Sequence, residues 1–535
     1  MAHTFRRWRS DLSCSQFFSD LLLVFGKSGC DRKSQRFIYP SFSLMMLWRS
    51  RLTDRMSRLR ACVHWWKRNN IIFMEDWYMS HKLTRLSLIS LSLLAGLSAN
   101  IQAHAASVGC NQNCIDYLRE NVQARPLTAA SIATLGNAAL QSQFTSYLNT
   151  SISARNSDKA ALAAERNNLT TIPAPRSSDE GHDLDTMPLN KPASYYQSTE
   201  ALNIARDILS FQIPSGGWGK NMPHTGVERA KGQSYTIDNL DPSESGRWRY
   251  VGTIDNGSTT TELRYLAKVQ ATRAEGADTT RIRAGIVRGL KYLLAAQYPN
   301  GGWPQVYPLA GGYNDAITIN DDAMLRVVML LNEIGNGSNS DFAFLDSRTR
   351  NSIAQSAAKG ITWLLDNQVS IGGTLTVWGQ QHDVLTQEPT AARAFEMASL
   401  TSGESAKIVE FLMTLPNPNA AVRRSVYAAA DFFTATRITG QSWSNGKLSS
   451  SPNGVLWARY YDLASYTPGA SRVEKRAQTL FGDFPKTHDS SAYGLVFGSV
   501  ASVSTERLTG YAQYVSSPQR VLTTFAVWSK SNARP

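Results

Sequence analysis

Three patterns of apolar and polar positions follow one another along this chain. From Leu86 to Leu97 runs a nearly unbroken apolar stretch, with His81, Lys82 and Arg85 before it and Ala103-His104-Ala105 after it. A basic start, a short apolar run and a small-residue cleavage site are the parts of a secretory signal peptide, so residues 79–105 predict export, secreted or periplasmic. Between Ala129 and Asn149 apolar residues recur at helical spacing. Ile172-Pro173-Ala174-Pro175 and the Ser, Asp, Gly and Asn residues up to Pro192 then read as a linker. From Ala193 onward amphipathic helical stretches alternate with long polar loops, and strand alternation is sparse.

Those helical stretches end alike. One runs into Gln212-Ile213-Pro214-Ser215-Gly216-Gly217-Trp218 and a second into Gln297-Tyr298-Pro299-Asn300-Gly301-Gly302-Trp303. A weaker third passes through Trp363 and Leu364 into Gln368, Gly372-Gly373 and Trp378. The glutamines stand 85 and then 71 residues apart, a period that fits a pair of helices plus a long loop. The glycines suit helix termination and close approach of the following turn. The expected fold is all-α, a toroid of helix pairs with its loops gathered at one end. Trp218, Trp303 and Trp378 are either core residues or a stacking platform for sugar rings, with core the commoner fate.

Composition changes this picture in one respect. The chain has 535 residues and a formal charge of +13, which at face value points to nucleic acid or a membrane surface. Residues 1–78, however, carry 14 Lys and Arg against 6 Asp and Glu, a net of +8, and the signal segment adds +2. The remainder carries only +3, which removes the argument for a nucleic-acid partner. A signal peptide belongs at an N-terminus, so residues 1–78 read as a mis-assigned upstream extension, with a cytoplasmic extension or a basic arm as alternatives. The resulting organisation is 1–78 extension, 79–105 signal, 106–192 helical leader and linker, and 193–535 one large domain. Beyond the signal only Cys110 and Cys114 remain of the five cysteines, a pair able to close a small disulfide loop in an exported protein. No segment of the mature chain has the roughly 18 consecutive apolar residues of a membrane span.

Polar clusters fall in the loops between helices. Thr253-Ile254-Asp255-Asn256-Gly257 precedes a helix start at Thr259-Thr260-Thr261-Glu262, and Asn320-Asp321-Asp322 opens another. Taken singly, each reads as turn and cap chemistry. Together Asp255, Asn256, Asp321 and Asp322 supply the oxygen ligands that a hard cation such as Ca²⁺ takes. The histidines of this region, His182, His224, His382 and His488, are scattered, which disfavours zinc. No Gly-x-Ser-x-Gly elbow is present for a serine nucleophile. Arg393, in Ala391-Ala392-Arg393-Ala394-Phe395-Glu396, and Arg459, in Trp457-Ala458-Arg459-Tyr460-Tyr461, have Glu396 and Asp462 as nearby ion-pair partners.

In order along residues 200–515, these blocks and Trp378-Gly379-Gln380-Gln381-His382-Asp383 resemble the family 10 pectate lyases. Each motif is weak alone; the ordered set is specific. The resemblance implies an (α/α)3 toroid, a polygalacturonate (pectate) substrate, Ca²⁺ as cofactor and arginine as the catalytic base. Carried over, Asp255 and Asn256 line the catalytic subsite and hold calcium, Asp321 is a further ligand, and Arg393 takes the proton. Lys220, Asn256 and Arg459 become candidates for substrate contact. The chain is expected to act as a monomer. Arginine is a weak base because its pKa exceeds about 12, so an alkaline optimum is expected.

One departure from the family pattern stands near the C-terminus. An arginine is expected close after Phe481-Gly482-Asp483, but Phe484-Pro485-Lys486 follows, and Lys486 replaces the guanidinium fork with a point charge. Two other readings stay open. One is a polygalacturonate-binding protein without turnover. The other is an enzyme like the triterpene cyclases, whose helical repeat is similar but whose apolar cavity fits poorly with loops rich in Asn, Asp, Gln and Arg.

Overall fold

The computed structural model describes residues 124–177, 187–237, 251–371, 373–392, 396, 398–444, 447–461 and 514–535. The upstream extension, the signal segment, Cys110, Cys114, His182, Arg393, Asp462, Lys486 and His488 lie outside the described residues. Among the described residues no helix is long and apolar enough to cross a membrane.

Eleven helices carry nearly half of the described chain. Helix α1 (Ala129–Ala133) is closed by a capping box between Thr128 and Ser131, and α2 (Ala138–Arg166) by Asn137, whose side chain accepts from the Leu140 amide. The spacing that predicted helix from 129 to 149 is thus broken at Thr134–Asn137 and continues well past Asn149. After α3 (Ala193–Tyr196) come α4 (Thr199–Ser210), α6 (Ala277–Ala296), α8 (Ser347–Asp366) and α10 (Ala420–Thr436), which pack side by side as an outer layer. Between them α5 (Thr260–Ala271), α7 (Ala323–Gly335) and α9 (Gly403–Thr414) run inside, buried on most faces. Helix α11 (Ser517–Trp528) packs on α9 and α10. Three inner-to-outer hairpins joined by short loops, α5/α6, α7/α8 and α9/α10, make the expected (α/α)3 toroid.

The repeated sequence explains why successive units hold together. The side-chain amide of Gln212 donates to Gly216 O of its own turn at 2.8 Å and to Gly285 O of α6 at 3.0 Å. Gln297 does the same to Gly301 O and Ser356 O of α8, both at 3.0 Å, and Gln368 to Thr376 O at 2.7 Å and Ser425 O of α10 at 3.1 Å. Each glutamine therefore fastens its loop to the next outer helix. Four residues further along those helices, Gly289 and Gly360 leave room for Trp218 and Trp303; a Cβ there would meet the indole at 2.9 and 2.8 Å. Gly216 (φ +112°) and Gly301 (φ +102°) adopt backbone angles that L side chains rarely take, because the turn presses on the Arg288 and Lys359 carbonyls.

The tryptophans are core, not a sugar platform. Trp218, Trp303 and Trp378 are fully enclosed, and each indole N–H is spent on a carbonyl of the preceding helix: Ile208, Leu293 and Leu364, at 2.7, 2.8 and 2.7 Å. Burying roughly 150–250 Å² per ring at about 25 cal/mol per Å² contributes roughly 4–6 kcal/mol each before entropy is counted. Trp457 repeats the arrangement, donating to Phe433 O at 2.8 Å, so there is a fourth member without Gln or Gly-Gly.

That fourth member is delivered by a β-hairpin the sequence pattern did not predict. Ile438–Ser444 pairs antiparallel with Lys447–Ala458, with a bulge at Thr439/Gln441, and Tyr514–Val515 pairs with Ala458 and Trp457. Its Ser-rich stretch, Ser449-Ser450-Ser451-Pro452-Asn453-Gly454, has turn composition, which hid the strands. The other strands are two residues long and link loops.

The segment before the toroid packs on it. Phe144 and Tyr147 stack on Tyr298 at ring separations of 6.1 and 4.7 Å, and Tyr147 Oη donates to Ala296 O at 2.9 Å. Asp158, buried in α2, accepts from Ser215 N (2.8 Å) and Ser215 Oγ (2.7 Å) of the first repeat loop.

Candidate functional site

Each repeat loop runs from its tryptophan to the mouth of the toroid, where hydrogen bonds fix the turn that starts the next inner helix. Thr253 N donates to Trp218 O (3.0 Å), Thr318 N to Trp303 O (3.1 Å) and Thr401 N to Trp378 O (2.8 Å). On their other side the turns are held by the following repeat: Ile254 N donates to Gln305 O (3.1 Å), Ile319 N and Asn320 N to Gln380 O (2.8 and 2.9 Å), and Ser402 N to Arg459 O (3.0 Å). The residues two places after each tryptophan, Lys220, Gln305, Gln380 and Arg459, are therefore structurally equivalent. They ring the mouth.

Two of the turns are near copies. Asp255–Gly257 and Asn320–Asp322 are single 3-10 turns in contact with one another, with Asn256 (φ 52°, ψ 23°) and Asp321 (φ 53°, ψ 28°) in the left-handed region. Only Asn and Asp among non-glycine residues enter that region readily. The equivalence places an amide at one position and a carboxylate at the other.

The charges around these turns are interdependent. Lys220 is paired with Asp255, which is almost wholly buried, and Asn256 Nδ2 donates to Asn221 Oδ1 at 2.9 Å. Burial pushes the Asp321 carboxyl above the usual range, and Glu404, Asp255 and Glu396 push it the same way against the opposing pull of Arg459. Asp322 is also raised, by burial first, although Lys407 and Arg326 both bind its Oδ2. Glu404 goes the other way: burial alone would raise it, but Arg459 (Nη2 to Oε1, 3.3 Å) and the donors Thr401 and Gln380 hold it below the ordinary carboxylate value. Asp321, Asp322, Glu404, Lys407 and Arg459 line a cleft of about 190 Å³.

Four carboxylates that raise or resist one another, with amide oxygens beside them, are the donor chemistry of a hard cation. The Oδ1 atoms of buried Asn320 and Asp322 accept no hydrogen bond among the described residues. Among those residues no three carboxylates, imidazoles or thiolates converge tightly enough to hold a metal by themselves, so any ion here needs amide oxygens, water or substrate as well. Neither of the two imidazoles among the described residues is available as a ligand. His382 is enclosed, its Nδ1 2.8 Å from Gln387 O and its Nε2 accepting from Gly379 N, and burial pushes it down to about 4. His224 is buried between Asp207 and Glu262.

Of the residues singled out in the sequence, Lys220, Asp255, Asn256, Asp321 and Arg459 meet at this mouth. Arg459 pairs with Glu404. The flanks of position 393 are held by Ala392 N, which donates to Glu396 O at 2.9 Å, and the buried Glu396 acts electrostatically on Asp321. Glu404, Lys407 and Gln380 carried no such sign in the sequence, and Glu396 read there only as an ion-pair partner for Arg393. Glu404 stands in Thr401-Ser402-Gly403-Glu404, which reads as an ordinary helix start. The signal for Gln380 was the fixed offset from tryptophan, a repeat within the repeat.

Known proteins were compared with the chain in three ways. No curated protein matches it significantly. A family 10 polysaccharide lyase from Cellvibrio cellulosa is similar in structure, at 27% identity and a TM-score of 0.49, covering 65% of this chain and 98% of that one. A mutant of the family 10 polysaccharide lyase from Cellvibrio cellulosa in complex with trigalacturonic acid gives 27%, 0.49, 64% and 98%. The pectic acid lyase family profile matches residues 212–522, more than half of the chain. With that match the chain belongs to the pectic acid lyase family, and it is a polysaccharide lyase.

Proposed function

We propose that the chain cleaves α-1,4-linked polygalacturonate by calcium-assisted β-elimination, as an exported monomer directed by residues 79–105. The observation that carries this reading is the Asp321 carboxyl, pushed up by burial and by Glu404, Asp255 and Glu396 in a cleft lined by Lys407 and Arg459, with Lys220 paired to Asp255. Repelling carboxylates are suited to a cation, and the surrounding cations to an anionic chain. In the reaction the C5 proton, α to the uronate carboxylate, is removed. Its bonding pair becomes the C4–C5 double bond, and the glycosidic oxygen leaves C4 and takes up a proton. Asp255, Asn256 and Asp321 would hold the calcium. Bound there, it stabilises negative charge that develops on the uronate carboxylate.

Arg393 takes the C5 proton, which requires its pKa to be depressed by neighbouring cations or the medium to be alkaline. Lys220, Arg459 and Lys486 orient carboxylates and hydroxyls of the chain. The test is the ultraviolet absorbance of the unsaturated product from polygalacturonate, with and without a chelator, for the native protein and for Arg393→Ala. Absorbance growing only with calcium, and lost in Arg393→Ala with binding retained, is the expected result. Turnover that survives the chelator removes calcium from the reading, and turnover that survives the substitution removes Arg393.

A further inference from the structure

The short stretch between Ala124 and Leu127 touches two different site loops. Ala124 N donates to Ala391 O at 2.9 Å, and Leu127 N to Asp315 Oδ2 at 3.0 Å. Between them the exposed Arg125 reaches Asp383 Oδ2 at 3.4 Å. Ala124 and Leu127 are themselves buried. Asp315 belongs to the second repeat loop, and its other oxygen accepts from Gly311 N at 2.8 Å. Asp383 and Ala391 belong to the third. There Gln381–His382 pairs with Pro389–Thr390, and Asp383 Oδ1 accepts from Leu385 N and Thr386 N to shape the intervening turn.

The strand Pro389–Thr390 pairs with Gln381–His382, which pairs in turn with Ile317–Thr318, the strand that leads into the Asn320–Asp322 turn. Asn320 N also donates to Gln380 O at 2.9 Å. A fixed Ala391 therefore fixes the end of the strand layer that carries the Asp321 turn. Further along, α2 continues the same crossing. Ser151 Oγ accepts from Leu309 N at 2.8 Å and Arg155 donates to Leu309 O at 3.0 Å in the second repeat loop, and Asp158 holds Ser215 in the first.

We propose that Ala124–Leu127 is a positioning segment of the active site, which by bridging the second and third repeat loops sets Pro389–Ala392 and the strands paired with them against the Asp321 turn. It touches no substrate and acts through Ala391 and Asp383. The proposal rests on reading this mouth as the lyase centre. Misplacement of a catalytic group by about 1 Å is enough to cost on the order of 100-fold in rate, so a brace of two backbone N–H donors, one to a carbonyl and one to a carboxylate, is of catalytic consequence.

Two substitutions in the full chain test it. Ala124→Pro removes the donor to Ala391 O, and Arg125→Glu sets a carboxylate against Asp383 at an exposed position. Steady-state kinetics on polygalacturonate, urea unfolding and hydrogen exchange of the 383–392 peptide are measured together. The expected result for Ala124→Pro is a kcat lower by roughly tenfold with KM within about twofold, faster exchange confined to that peptide and an unchanged urea midpoint. Arg125→Glu should move kcat in the same direction by a few-fold, and decides the matter if the proline variant does not fold. Unchanged kcat, or a loss matched by a fall in the urea midpoint without selective exchange, overturns the proposal. Should Arg393→Ala keep turnover while these variants lose it, the base assignment falls and the positioning role stands.

Discussion

Replacing His224 with glutamine should remove a pH-dependent share of the protein's stability. The ring is enclosed, with Nδ1 3.9 Å from Asp207 Oδ1 and Nε2 3.5 Å from Glu262 Oε1, ion-pair distances without formed hydrogen bonds. Burial alone lowers the imidazole, but the two carboxylates outweigh it and raise it to about 9 from 6.5. A folded value above the unfolded one means that folding favours the protonated ring. The contribution is complete below pH 6.5 and is lost as pH rises through about 9. At about 1.4 kcal/mol per pH unit, about 3 kcal/mol is involved. Arg176 donates to both oxygens of Asp207 at 2.9 Å. Urea unfolding at pH 6, 7.5 and 9 measures the effect. The native protein should lose roughly that amount between the first and last pH. His224→Gln should start lower, since Glu262 is left buried without a cation, and should vary little with pH. A native stability that is flat from pH 6.5 to 9, or an equally steep fall in the variant, would refute the assignment.

Two further substitutions follow from the packing and the charges. Gly360→Ala would bring a methyl group to 2.8 Å from the Trp303 ring and Val328 Cγ2, and should cost about 1–3 kcal/mol by urea unfolding; an unchanged midpoint would mean that the indole has space to move. Asp321→Asn should raise the calcium concentration needed for half-maximal activity by at least tenfold, on the order of the loss of one charged ligand. Because the Asp321 carboxyl is raised, its charged form opposes folding above the unfolded carboxylate value of about 4. The calcium-free variant should therefore be no less stable than the native protein at pH 7, and a clear loss of stability would contradict the raised value.

The helix pairs and the position of the mouth were legible because their signals are local and repeated. Gln212, Gln297 and Gln368 mark the ends of α4, α6 and α8, and Asp255, Asn256 and Asp321 stand out as oxygen donors in turns that precede α5 and α7. What stayed hidden depends on distant partners. Glu404 acquires its meaning only from Arg459, 55 residues further on, and from Gln380 on the neighbouring loop. The role of Trp457 was obscured because a β-hairpin, not a Gly-Gly turn, carries it to its carbonyl. The tryptophans were open between two fates in the sequence, since either use demands a large ring beside small residues. The carbonyls of Ile208, Leu293 and Leu364 settled it by using up the indole N–H groups.

The glutamine fastening has a direction. Gln212 reaches forward to α6, Gln297 to α8 and Gln368 to α10, and Trp218 and Trp303 likewise lean on glycines of the outer helix that follows. A chain emerging from its N-terminus cannot finish its first unit until residues 285–289 have appeared, nor its second until residues 356–360 have. Closure always waits for sequence not yet made. For a polypeptide read as crossing a membrane before it folds, that delay keeps each half-made unit open, and the ring locks in the order in which it is threaded.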